Sequence, residues 1–165
     1  MDKHYYLVAQ LPALAFGVQP PLSMAAFLEE AGKWLSAREY AALCRVDITD
    51  PVPAAGDPPG LRAYKDLEHR LRTELSLWRG ARRGGPDHRP VDFPVQLFEE
   101  GNPLEVEVRL LRLRWDFVEQ QEAGHHFDFE VLVFYYLKLQ IWRRLAAFDK
   151  ARGLETFRQL REVTV

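Results

Sequence analysis

Apolar residues spaced three and four positions apart predict two amphipathic helices in the middle of the chain. The first runs from residue 61 to about residue 83, and the second covers residues 104–123. The apolar face of the first helix contains Tyr64, Leu67, Leu71, Leu75 and Trp78. The apolar face of the second contains Leu104, Val108, Leu111, Trp115 and Val118. Charged residues occupy the remaining faces, so each helix should bury one side and expose the other.

The segment from residue 127 to about residue 150 is apolar on nearly every face, which predicts a helix buried on several sides. At this length it would extend about 36 Å. That exceeds twice the radius of gyration of roughly 15 Å expected for such a chain. We therefore expect it to be the central helix, packed antiparallel on 104–123 as a helical hairpin, with Gly124 in the turn and Gly153 at its end. Residues 154–162 could add a last turn or two.

Capping signals predict where several helices begin. Ser23 precedes a run with helical spacing, and Ser36 with Glu39 forms a capping box before a short helix at 37–46. Asn102 followed by Pro103 is a further start signal. Prolines and glycines predict loop-rich connections near 47–60 and 84–102.

Residues 5–11 are apolar and fit either a short strand or a buried helical turn, and the pattern does not choose between them. The fold expected is therefore all-α: an irregular helical bundle around a long antiparallel hairpin, with this N-terminal segment helical or extended. We expect residues 1–165 to form a single helical domain.

Composition narrows the classes of function. The 165 residues are 47% hydrophobic with a net charge of −2, which is typical of a soluble globular domain and gives no overall field to attract nucleic acid. A single cysteine, Cys44, excludes an intramolecular disulfide and the usual thiolate zinc sites. The N-terminus is too weakly basic for a secretory signal, and no apolar run approaches the roughly 20 residues of a membrane span. These features predict a cytoplasmic protein.

The polar turn between the two hairpin helices is the main candidate for metal chemistry. His125 and His126 lie close to Asp128 and Glu130, and Glu122 with His125 has the Glu-x-x-His spacing of di-metal helical bundles. Those bundles need a second copy of that spacing, which the chain lacks. We therefore interpret the turn as a solvent-exposed capping turn and predict no metal ligands.

Lys138 stands out within the central helix because its neighbours are apolar. Its stem should pack on the core with the ammonium at the rim. The alternative is a buried ion pair with an acid of another helix, for which Glu68, Glu107 and Asp116 are candidates.

No nucleophilic or cofactor-binding motif is present. Ser23 and Ser36 are explained as helix caps, and Cys44 has no histidine near it in sequence. Gly-x-Ser-x-Gly, Walker-type and Gly-x-Gly-x-x-Gly motifs are absent from the sequence. We therefore expect a protein that is not an enzyme, with no catalytic residues and no cofactor.

Six arginines crowd the segment from residue 62 to residue 83. They could follow a phosphate backbone, but acids lie among most of them, which is typical of solvated pairs on a helix surface. The last three arginines of the segment have no acidic residue among them, and they suit an acidic protein partner better than a nucleic acid. The residues predicted to contact a partner are Trp78, Arg79, Arg82 and Arg83.

Three stretches together resemble an uncharacterised bacterial family. They are residues 5–14 with Phe16-Gly17 and 20–23, then Tyr64 through Leu75, and finally Arg114-Trp115 through His126-Phe127-Asp128 to 136–139. Genes of that family lie among those for V-type (V/A-type) ATPases or ATP synthases. They occupy the position of the C-type component of the central stalk, which corresponds to the d-type component of the eukaryotic enzymes.

The resemblance implies a helical adaptor between the rotating central shaft and the membrane rotor ring, and it supplies no catalytic or binding residues. The implied partners are central-stalk or rotor subunits, and the implied location is cytoplasmic, at the membrane periphery through the ATPase complex. An ordinary C-type component has three helical modules, so a reduced adaptor or an assembly factor fits this length better. The alternatives are a metal-binding helical-bundle enzyme with ligands near His125 and His126, and a nucleic-acid-binding helical domain.

Overall fold

Side-chain caps begin four of the helices in the computed structural model, which describes residues 3–99 and 101–148. Ser23 accepts a hydrogen bond from the amide of Ala26 at 3.1 Å. Ser36 and Glu39 complete the reciprocal capping box. Asn102 and Asp128 cap the two helices of the hairpin. Three of these four caps were predicted, and all three are confirmed.

Six α-helices follow one another along the part of the chain that the structure describes. They are α1 (Lys3–Gln10), α2 (Met24–Trp34), α3 (Ala37–Cys44), α4 (Pro59–Arg82), α5 (Pro103–Glu122) and α6 (Phe129–Ala146). A single 3₁₀ turn, Val95–Leu97, lies between α4 and α5. Within 3–99 and 101–148 there is no β-strand, and the predicted all-α fold is confirmed.

Several predicted boundaries need correction. For the N-terminal apolar segment, where helix and strand were both left open, the structure shows a helix, since α1 covers most of it. Helix α4 starts at Pro59, where a proline in the first turn costs no hydrogen bond. Helix α6 starts at Phe129, not at residue 127, because the side chain of Asp128 accepts from the amide of Val131. It ends at Ala146, earlier than predicted, and Gly153 and residues 154–162 lie outside the described residues.

Helix α6 is central, as predicted, because it contacts each of the other five α-helices. It packs most extensively on α5, to which residues 123–128 connect it. Ion pairs show that the two helices run antiparallel: Lys138 contacts the end of α5 at Glu122, whereas Arg144 contacts the start of α5 at Glu107. The predicted helical hairpin is therefore confirmed.

The core has two parts. The larger surrounds α6 and includes residues from α1 to α5, with Tyr64, Phe27 and Phe134 among its largest fully buried side chains. The smaller lies between α4, α5 and the connection before α5. It consists of Leu67, Leu71, Phe93, Phe98 and Leu110, with Leu75 and Trp78 packed against it. This smaller cluster positions the distal end of α4.

The loop between α3 and α4 is fixed by a buried cation. The Lys65 side chain is 4% exposed, and its ammonium lies 2.7 Å from Asp50 and 2.8 Å from Asp57. It also donates to the carbonyl of Val52 at 3.0 Å. Burial alone lowers the pKa of Lys65, but its hydrogen bonds to the two carboxylates outweigh this, so the net shift is upward.

Among the helices described in residues 3–99 and 101–148, none is sufficiently long and apolar to cross a membrane.

Candidate protein-interaction surface

The distal end of α4 presents an aromatic ring covered by a guanidinium. Trp78 is half-buried, and its ring centroid lies 6.1 Å from that of Phe98. The Arg82 guanidinium lies 5.7 Å from the centroid of the Trp78 ring, which is a cation–π distance. We call the surface formed by Trp78, Arg82, His88, Val95 and Glu99 the Trp78 surface. It combines one predicted aromatic with one of the three predicted arginines.

The smaller core cluster holds this surface in place from below. Phe93 and Phe98 pack edge to face with centroids 6.2 Å apart, and both are buried. Arg70 covers Phe93 at 6.0 Å. His88 lies 2.6 Å from the carboxylate of Glu74, which ties the connection after α4 to the helix itself. The aromatic ring of Trp78 is therefore supported by packed side chains.

An open cleft of about 740 Å³ lies beside Trp78. Its lining includes His88, Phe93 and Val95, together with the acidic residues Asp87 and Glu99. Exposed apolar side chains nearby in sequence are Leu77, which is 47% exposed, and Val91, which is 85% exposed. Tryptophan and arginine are the residue types most enriched at energetically important positions of protein interfaces. Trp78 and Arg82 are of these two types.

The structure separates the four predicted contact residues. Trp78 and Arg82 share the Trp78 surface. Arg79, although exposed, lines a different cleft together with Glu68 and Arg114. Arg83 is the exposed residue that follows the last turn of α4. The prediction that these residues contact a partner stays a prediction, but only two of them form one surface.

Glu68 and Arg114 form a buried pair that sequence reasoning missed. The Glu68 side chain is fully buried, and it accepts hydrogen bonds from two nitrogens of the Arg114 guanidinium, which is 13% exposed. Arg72 lies 3.4 Å from the same carboxylate. Burial alone lowers the pKa of Arg114, but its hydrogen bonds to Glu68 outweigh this and raise it.

A sequence signal for this pair was available. Glu68 follows Tyr64 by four positions and precedes Leu71 by three, which places a carboxylate on the apolar face of α4. Arg114 stands three positions after Leu111, on the apolar face of α5. An acid and a base on two apolar faces that must pack together predict a buried ion pair.

Lys138 has a different partner from the three proposed. Its ammonium pairs with Glu122, lies 3.9 Å from Glu119, and lies 5.3 Å from the Trp115 ring centroid. The Lys138 side chain is 8% exposed and Glu122 is 28% exposed, so the stem is packed as predicted and the ammonium pairs with an acid of another helix, but not with one of the three named acids. The proposed partners are occupied elsewhere.

The three acids proposed for Lys138 pair with arginines. They form the pairs Glu68 with Arg114, Glu107 with Arg144, and Asp116 with Arg112. The antiparallel register explains why Lys138 does not reach Glu107. Glu107 lies near the start of α5, opposite the end of α6, whereas Lys138 lies opposite the end of α5.

The histidine turn forms local contacts. The Nδ1 atom of His125 lies 2.7 Å from Asp128, while His126 is exposed. Desolvation alone raises the pKa of Asp128, but its hydrogen bonds to His125 and to backbone amides outweigh this and lower it.

The other acids near the histidine turn are also engaged. Burial raises the pKa of Glu130, which accepts a hydrogen bond from the amide of Gly60 at 3.1 Å. Glu122, which has the Glu-x-x-His spacing with His125, is paired with Lys138. In 3–99 and 101–148, no three His, Cys, Asp or Glu side chains converge to hold a metal.

Comparison with known proteins gives one family-level similarity. Residues 94–163 match a family described as a protein of unknown function (DUF2764). The match covers less than half of the chain, and within the described residues it includes all of α5 and α6. The hairpin region is thus similar to an uncharacterised family. Neither a curated protein nor a solved structure matches the chain.

Proposed function

We propose that this protein is a non-catalytic helical adaptor or assembly component of a V-type ATPase or ATP synthase, acting through contacts with central-stalk or rotor subunits. The observation that carries the protein-contact part of the proposal is the Trp78 surface. There a half-buried tryptophan lies beneath the Arg82 guanidinium, beside an open cleft.

The rigid support of this surface favours binding over a purely structural role for Trp78. Two buried phenylalanines and the His88–Glu74 contact hold the surrounding connection on α4. A preordered aromatic anchor loses little side-chain entropy when a partner covers it. The neighbouring carboxylates of Asp87 and Glu99 give the cleft a polar rim, as is usual at protein interfaces.

The choice of partner is supported by the resemblance of the three quoted stretches to a family encoded with V-type ATPases. The match of residues 94–163 to a family of unknown function is compatible with that resemblance and adds no activity. The location proposed is cytoplasmic, at the membrane through the complex.

Co-purification tests this proposal. The full chain, tagged and expressed in its native cell, should recover V-type ATPase subunits, from either the finished complex or its assembly intermediates. Arg82→Glu should reduce that recovery, because it reverses the charge over Trp78. Arg38→Glu is the matched control, since Arg38 is an exposed arginine of α3 with the same change of charge.

The native ATPase supplies the reverse experiment. The protein should be present in complexes or intermediates purified through one of the established ATPase subunits. Its reproducible absence from both, together with a tagged chain that recovers no ATPase subunits, would refute the proposed partner.

A further inference from the structure

A second cleft, of about 290 Å³, lies where α4, α5 and α6 meet. Its charged lining consists of four arginines and two glutamates: Glu68, Arg72, Arg79, Glu107, Arg114 and Arg144. Apolar side chains from the smaller and larger cores form part of the remaining wall, including Leu75, Leu110 and Leu111. The cleft is separate from the Trp78 surface, and only Arg79 among the predicted contact residues lines it.

Both carboxylates in the cleft are already engaged. Glu68 accepts from Arg114 and lies 3.4 Å from Arg72. Glu107 pairs with Arg144 at 2.6 Å. Four guanidinium charges against two carboxylates leave a formal excess of two positive charges among the lining residues.

Arg79 contributes part of that excess. Within residues 3–99 and 101–148 it makes no ion pair, hydrogen bond or aromatic contact, although it lines the same cleft as the charged pairs. Arg114, in contrast to the exposed Arg79, is paired with Glu68 and largely buried, so its charge is screened little by the solvent. A positive excess beside buried ion pairs attracts an anion more strongly than the same charges on an open surface.

We propose that this cleft binds a phosphate-type oxyanion. The planar donor fork of arginine matches the oxygens of phosphate, and charge-assisted bonds of this kind are among the strongest in proteins. The volume lies at or below the lower end of the roughly 300–1,000 Å³ range of small-molecule pockets. It therefore suits one phosphate group, either free or carried by a larger molecule that extends into solvent. The inference does not depend on the ATPase partner.

Arg79 and Arg144 are the side chains whose replacement tests the site with least risk to the fold. Arg79 is exposed, and the Arg144 side chain is 47% exposed. Arg114 is unsuitable, because removing it would leave Glu68 buried without its main partner. Arg38 and Arg45 supply a matched control pair, since both are exposed arginines on or directly after α3, and neither lines this cleft.

The test is isothermal titration calorimetry, in which the full chain is titrated with inorganic phosphate at a constant ionic strength set with sodium chloride. We expect saturable binding at one site with a dissociation constant of about 1 mM or lower. Replacing Arg79 and Arg144 together by glutamine should weaken binding at least about tenfold, whereas the Arg38→Gln, Arg45→Gln control should change it by less than about twofold. Thermal unfolding of each variant verifies that it is folded.

A second titration identifies the source of the phosphate group. A phosphoserine peptide and its unphosphorylated form are compared with inorganic phosphate. Tighter binding of the phosphopeptide assigns the cleft to a modified protein segment, and tighter or equal binding of inorganic phosphate assigns it to the free ion. Absence of saturable binding by both phosphate probes would overturn the proposal. Equal weakening in the Arg79/Arg144 and Arg38/Arg45 variants would overturn it as well.

Discussion

The fully buried carboxylate of Glu68 on α4 accepts hydrogen bonds from the guanidinium of Arg114 on α5, 46 residues later in the chain. This pair fixes the lateral position of α4 against α5 between the two parts of the core. Leu71 and Leu110 pack in the smaller cluster, while Tyr64 and Leu111 pack in the larger. The distal end of α4, with Trp78, is placed as a consequence.

Replacing Glu68 by glutamine should therefore destabilise the fold strongly. The change leaves the Arg114 guanidinium buried without a counter-charge, which typically costs about 3–5 kcal/mol. Urea denaturation measures the free energy of unfolding, with Glu29→Gln as the control because Glu29 is an exposed carboxylate on α2. A loss for Glu68→Gln no larger than that of the control would show that the pair contributes little.

The local signals in the sequence predicted the helices well because capping depends on neighbouring residues. Ser23, the Ser36–Glu39 box and Asn102 each satisfy backbone amides within three positions, and each begins a helix as predicted. The start of α6 was misplaced because aromatic Phe127 extended the apolar pattern, whereas the cap at Asp128 sets the boundary. The same local chemistry would have identified it.

The polar contacts between helices were less predictable because they depend on helix register. The alternative predicted for Lys138, an ion pair with Glu68, Glu107 or Asp116, names the wrong acids because the antiparallel register places Glu122 within its reach. Similarly, the predicted contact residues divide between two clefts, because Arg79 and Trp78 lie on different faces of α4. The charged side chains of the proposed oxyanion cleft come from α4, α5 and α6, so they lie close together only when the three helices are packed.

Gly60 provides a second stability prediction. A Cβ atom at this position would lie 2.5 Å from a carboxylate oxygen of Glu130 and closer still to the Phe134 ring. Phe134 is buried in the core and cannot move freely, so Gly60→Ala should destabilise the protein by about 1–3 kcal/mol. Thermal or urea unfolding measures the change.

Gly56 is the matched control for that substitution. It lies in the loop before α4, and nothing approaches within 4 Å of a Cβ added there. Gly56→Ala should leave stability unchanged or raise it slightly, since alanine restricts the unfolded chain. Equal stability of the two variants would contradict the close packing of α4 on α6 at Gly60.

The cluster formed by Lys65 with Asp50 and Asp57 should stabilise the fold to an extent that depends on pH. Hydrogen bonding to Lys65 and to the Val52 amide lowers the pKa of Asp50. Desolvation raises the pKa of Asp57, but hydrogen bonds to Lys65 and to the Ala54 amide outweigh it, so that pKa is lowered too. Carboxyls with lowered folded-state pKa values stabilise the fold above their ordinary value of 3.8. That contribution is lost as pH falls through the lower folded-state values.

Asp57→Asn should accordingly be less stable than the original protein near neutral pH, and the difference should shrink as pH falls below 3.8. Urea unfolding at several pH values measures both curves. Asp87→Asn is the control, because Asp87 is an exposed carboxylate outside this cluster. A difference that stayed constant across the acid range would contradict the role assigned to the charge of Asp57.

Site-specific photocrosslinking in the native cell tests the central claim most directly. A photoreactive residue replaces Gln96, which is exposed and lines the cleft beside Trp78, in one variant and Arg38 on α3 in the other, and crosslinked proteins are identified by mass spectrometry. The account predicts crosslinks from position 96 to central-stalk or rotor subunits of the V-type ATPase, and far fewer from position 38. Equal crosslinking at both positions, or the absence of ATPase subunits from the products of position 96, would contradict it.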